Sequence, residues 1–168
     1  SMNDKIVKNA LKIKPNYICI VPENRKEVTT EGGLNLDKNQ KKLKNIIQIF
    51  KQAKIRTSLF VNPTIRDIKL SKDLNTDCVE IHTGRLSNLV KSKKNYYTEL
   101  NRIKKSSLLA KKLNIEVHAG HGLDYQTTKI LSKINEIQEF NIGHFIIGES
   151  IFFGLSKVIR NFKKILKK

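Results

Sequence analysis

A chain of 168 residues with 39% hydrophobic content suffices for one packed core, which excludes a disordered polymer and implies one domain over residues 1–168. A formal charge of +18 and a pI near 10.0 point toward anionic partners. Aromatic content of 7% without any Trp gives no stacking platform, so no nucleic-acid partner is expected.

Hydrophobic spacing predicts a helix from Asn3 to Ile13, with Ile6, Val7, Ala10 and Leu11 on one face and Pro15 beyond its end. A strand from Tyr17 to Val21 follows, then a polar loop from Pro22 to Gly33. The next helix spans about Asp37 to Ala53, carrying Leu43, Ile46, Ile47 and Phe50. A strand from Thr57 to Val61 ends at an Asn62-Pro63 turn into a short helix near Thr64 to Leu70. The third strand, Cys78 to His82, stops at Thr83-Gly84. Beyond it lie a helix from about Tyr96 to Leu113, a strand from Ile115 to Ala119 and a short helix from Thr127 to Ile134. The last strand, Phe140 to Ile142, leads through Gly143-His144 into a helical tail with Ile151, Leu155, Val158, Ile159 and Phe162.

Five alternations of strand and helix imply parallel strands joined by right-handed crossovers, an α/β fold. A doubly wound sheet would collect its polar residues at one switch point. Here they follow nearly every strand, at Glu23 to Gly33, Asn62, His82 to Gly84, His118 to Gly122 and Gly143-His144. That distribution suits a barrel, although five units cannot close one of eight strands.

Most of the lysine pairs at 41–42, 93–94, 104–105 and 111–112 fall on polar helix faces, where they act as solvated surface and attract anionic substrates. Cys19 and Cys78 lie in apolar strands without metal-type spacing and read as small buried hydrophobes of a reducing compartment. With no apolar run of membrane-span length and no signal-peptide core, a cytoplasmic location and no membrane partner are expected.

Two strands end in glycine-flanked histidines, Gly120-His121-Gly122 and Gly143-His144. Such an ending delivers an imidazole and unencumbered backbone amides to one point, as phosphate and proton handling require; a histidine beside a turn glycine is the plainer alternative. The loop from Pro22 to Gly33 mixes ions, hydroxyls and a closing Gly-Gly at 12 residues, the length of an active-site lid or of a solvated turn. Glu80 stands in mid-strand, where a carboxylate serves either a polar interior or an ion pair, and His82 shares its face at period two.

In order, Val21-Pro22-Glu23 through Thr29-Thr30-Glu31-Gly32-Gly33-Leu34, Glu80-Ile81-His82-Thr83-Gly84, Ala119-Gly120-His121-Gly122-Leu123 and Asn141-Ile142-Gly143-His144 with Gly154-Leu155 resemble the pyridoxine 5′-phosphate synthase family over essentially the whole chain. The resemblance implies a (β/α)8 barrel of TIM type that condenses 1-deoxy-D-xylulose 5-phosphate with 3-amino-2-oxopropyl phosphate, releasing inorganic phosphate and water. It implies no cofactor and no metal, and a homo-oligomer. His121 matches the family's proton donor, and Glu80 a carboxylate that stabilises the transition state. Gly122 matches a phosphate-binding amide, Gly143 and His144 the second phosphate cradle, and Thr29 a substrate-binding threonine of the mobile loop.

Two departures qualify the match. His118 stands where the family usually has asparagine, as a polar contact or a neutral replacement. The family's N-terminal third, with three strands, a catalytic histidine and a catalytic glutamate, has no counterpart before Asn3. The five strands are therefore expected to be barrel strands four to eight, and this chain alone to be weakly active or inactive. A non-catalytic phosphate-binding remnant, or a fragment needing a partner chain, is the alternative.

Overall fold

The computed structural model describes residues 2–22 and 32–167; Thr29, with most of the polar loop, lies outside them. Five parallel strands, β1 (Tyr17–Ile20), β2 (Arg56–Val61), β3 (Cys78–His82), β4 (Glu116–Gly120) and β5 (Ile137–Asn141), pair in sequential order. A doubly wound sheet would reverse that order at its switch point. The sequential order instead makes this a five-stranded arc of a (β/α) barrel, and β1 and β5 are its edges among the described residues.

Helix α1 (Asp4–Ile13) precedes β1, α2 (Leu36–Gln52) joins β1 to β2, and α3 (Ile65–Asp73) joins β2 to β3. Two helices, α4 (Gly84–Lys91) and α5 (Tyr97–Lys112), follow β3; α6 (Tyr125–Leu131) follows β4; α7 (His144–Phe153) and α8 (Leu155–Leu166) follow β5. The apolar stripe of α2, Leu43, Ile46, Ile47 and Phe50, is buried as its spacing predicts. Caps begin the helices where short polar residues offer an acceptor: the Asn35 side chain accepts from the Lys38 amide at 3.1 Å, and Asp124 and Thr127 cap each other's amides at α6.

Strand alternation separates two environments. Leu59 and Val61, Val79 and Ile81, and Val117 and Ala119 join the helix-covered core. Their neighbours Ser58 and Phe60, Cys78, Glu80 and His82, and Glu116, His118 and Gly120 take the opposite, concave face. Each fully buried aliphatic contributes roughly 1.5–3 kcal/mol by leaving water, so the convex face holds the arc together while the concave face is free for chemistry.

The structure departs from the expected elements at several places, among them α4, the helical tail and Cys19. Helix α4 occupies residues to which the sequence pattern assigned no element, because Gly84, Ser87 and Asn88 weaken the helical pattern and its eight residues give only two turns. The helical tail is two helices, since Gly154 at φ 78° breaks it between Phe153 and Leu155. Cys19 is exposed rather than buried: it lies on the concave face of edge strand β1, and only Cys78 is enclosed.

Candidate active site

The C-terminal ends of the strands converge on a cleft of about 630 Å³ lined by Glu80, Lys91, His121, Gly122, Asn141, Gly143 and His144, among others. Every sequence-expected site residue within the described segments lies in it.

Glu80 is placed by β3 with its carboxylate across the concave face. It accepts a hydrogen bond from Asn141 Nδ2 at 2.8 Å and one from Cys19 Sγ at 3.4 Å. Gly120 leaves the space it occupies, because a Cβ there would overlap the carboxylate. Burial pushes the Glu80 carboxyl above its ordinary range, and the two hydrogen bonds and His118 oppose that rise.

His121 leaves β4 in the left-handed region at φ 82°, followed by Gly122 at φ 73°. The turn is held by Thr83, whose hydroxyl donates to one or other of the Gly120 and His121 carbonyl oxygens, 2.8 and 2.7 Å away. Burial, then the charges of His144 and Lys91, hold the half-buried imidazole below its usual proton affinity. Across the cleft, Gly143 begins α7 and His144 is its first helical residue; both are exposed, and the space around the Gly143 Cα is open. This helix start has no side-chain cap and lies in the same cleft as His144 and Lys91, so amide donors and basic side chains gather there.

His118 is not a wall of this cleft. It is 3% exposed, with Nε2 2.9 Å from Glu116 and Nδ1 3.7 Å from Glu139. Arg56 completes the network at 2.5 Å from the other Glu116 oxygen. Cys78, Glu116 and His118 lie close enough to share a metal ion, but the Arg56 guanidinium, 3.5 Å from Cys78 Sγ, already supplies a cation there. Lys91, Asn141 and Cys19 were not expected to have site roles: Lys91 sits on the unforeseen α4, while Asn141 and Cys19 reach Glu80 only through strand pairing.

The profile of the pyridoxal phosphate biosynthesis protein PdxJ family matches residues 1–168. The chain belongs to the PdxJ family. It is 64% identical over 168 residues to the pyridoxine 5′-phosphate synthase of Pelagibacter ubique, covering all of this chain and 70% of that protein. Identity is 40% to the synthase of Blochmanniella floridana, covering 98% and 66%. With that of Zymomonas mobilis it is 43%, covering 97% and 63%. This PdxJ chain thus spans about two thirds of the length of these relatives. Among solved structures, the citrate synthase SbnG superposes with a TM-score of 0.56 at 13% identity, covering 98% of this chain and 69% of that one, a likeness of fold alone. No helix among the described residues is long and apolar enough to cross a membrane.

Proposed function

We propose that this chain carries the phosphate-holding and proton-donating side of a pyridoxine 5′-phosphate synthase site. The observation that carries the reading is the single cleft in which Glu80, His121, Gly122, Gly143 and His144 meet. The phosphates of 1-deoxy-D-xylulose 5-phosphate and 3-amino-2-oxopropyl phosphate dock at the Gly122 turn and the α7 start, with Lys91 and His144 as counter-charges. The amine of one substrate adds to the carbonyl of the other, and the hydroxyl formed leaves as water once protonated. His121, which lines the same cleft as both phosphate positions, gives that proton. Glu80, fixed by Asn141 and Cys19, faces the iminium cation that remains and stabilises it.

Thr29 in the polar loop contacts substrate in this reading, the location is cytoplasmic, and the working form is a homo-oligomer. Turnover by the 168-residue chain alone is low, because the family's other catalytic histidine and glutamate are not matched by residues of this chain. The test is pyridoxine 5′-phosphate formation from the two substrates, with and without added polypeptide from the unmatched third of the Pelagibacter relative. Formation abolished by His121→Asn supports the reading, and formation indifferent to it overturns the role of His121. Saturable binding of pyridoxine 5′-phosphate without turnover in any combination would favour the phosphate-binding remnant.

A further inference from the structure

His82, Thr83 and Gly84 end β3 directly against Gly120, His121 and Gly122, and each contributes something different. Thr83 fixes the backbone, through its hydroxyl and through its backbone N–H, which donates a hydrogen bond to the Gly120 carbonyl oxygen at 2.9 Å. His82 lies against the ring: the His82 and His121 imidazoles stack with centroids 4.8 Å apart and planes 30° from parallel. Phe60 backs the pair, meeting His82 edge-on at 5.3 Å and 85° and standing 6.3 Å from His121. Gly84 leaves the room both rings need, since a Cβ there would lie 2.7 Å from His121 Cδ2 and 2.9 Å from His82 Cε1.

A histidine in the left-handed region, one residue past its strand, is not aimed by the sheet pleat. Its ring takes the direction its neighbours impose. His82 is 8% exposed and Phe60 3%, so they form a fixed wall, whereas His121 is half-buried and borders open cleft. We propose that His82 is a positioning residue that holds the His121 imidazole by stacking, with the ring directed at the phosphate cleft. The inference rests on the reading of His121 as proton donor, which demands a ring nitrogen kept within hydrogen-bond reach of the reacting oxygen.

The chain has four histidines, so each imidazole can be assigned by a single substitution. In the unsubstituted protein the His121 ring protons should show nuclear Overhauser contacts to His82 and ring-current-shifted resonances. His82→Leu should move those resonances toward free-imidazole positions, while His82→Phe, which keeps a flat ring, should leave them shifted. In the synthase assay with the added polypeptide from the unmatched third of the Pelagibacter relative, His82→Leu should lower kcat by about tenfold with KM within about twofold, and His82→Phe should recover most of the loss.

Unchanged His121 resonances in folded His82→Leu overturn the proposal, as does a His82→Phe protein that behaves like His82→Leu. Should His82→Leu lose its amide dispersion, Gly84→Ala supplies the same reading. Its methyl group must part the two rings and shift the His121 resonances, and resonances left in place overturn the proposal. Failure of the proton-donor reading looks different: the resonances respond as described, but turnover is indifferent to His121→Asn.

Discussion

His121 binds its proton less tightly than a free imidazole because its ring is half-buried and faces His144 and Lys91. The neutral imidazole is therefore favoured more than in a free histidine, and an arriving phosphate dianion both compensates the nearby cations and favours the imidazolium. Replacing His144 by Ala removes one of the depressing charges, so the His121 titration midpoint should rise, as read by imidazole NMR; an unmoved midpoint contradicts this electrostatic account. Glu80 is shifted upward by burial, so its ionised form is a burden on the folded state. That burden is full above its folded pKa and fades as pH falls from there to the ordinary carboxyl range of the unfolded chain. Glu80→Gln, which keeps an acceptor for Asn141, should stabilise the fold at pH 7 and lose that advantage as pH falls through the carboxylate range. Urea unfolding at both pH values checks it, and an equal difference at both would contradict it. Glu80 and His121 were legible in sequence because a carboxylate in an apolar strand and a glycine-flanked imidazole at a strand end are locally odd. Asn141 and Cys19 were not, since nothing local marks an amide or thiol that acts through a partner 61 residues away.

At the scale of elements, the buried stripe of α2 and the apolar runs of β2, β3 and β4 carry their periodicity openly, so they were readable. Strand β5 starts earlier than its apolar residues indicate, because Gln138 and Glu139 are exposed at a sheet edge and leave no alternation to read. Thr83 shows why α4 was hidden: it holds the N-cap position, yet its hydroxyl turns to the end of β4 instead of capping the helix. Two glycines test this level. Gly148, inside α7 with open space around it, should tolerate Ala with a gain of roughly 0.5–1 kcal/mol from helix propensity. Gly120→Ala should destabilise the fold and displace Glu80, because the methyl group and the carboxylate claim the same volume. Denaturant unfolding of both variants decides, and a neutral Gly120→Ala would contradict the placement of Glu80.

Across the whole molecule, exposed large apolar side chains are scattered singly over α1, α3 and α5 but gather along α7 and the start of α8. Ile147, Ile151, Phe152, Phe153 and Leu155 are 52–80% exposed along α7 and the start of α8, a larger patch than isolated surface hydrophobes make. Edge strands and such a patch both favour association. Sedimentation should therefore show concentration-dependent self-association that Ile151→Ser with Phe152→Ser weakens; a monomer at all concentrations would contradict the homo-oligomer proposal. The barrel arc was legible because polar residues recur after successive strands, which a single switch point cannot produce. The proposed phosphate site lies in the strand-end cleft, with His121 at its centre. Backbone amide NMR during titration with pyridoxine 5′-phosphate tests it most directly. Saturable shifts at Gly122, Gly143 and His144, competed by inorganic phosphate, are the predicted result; shifts confined to the lysine-rich helix faces, or none at all, would contradict it.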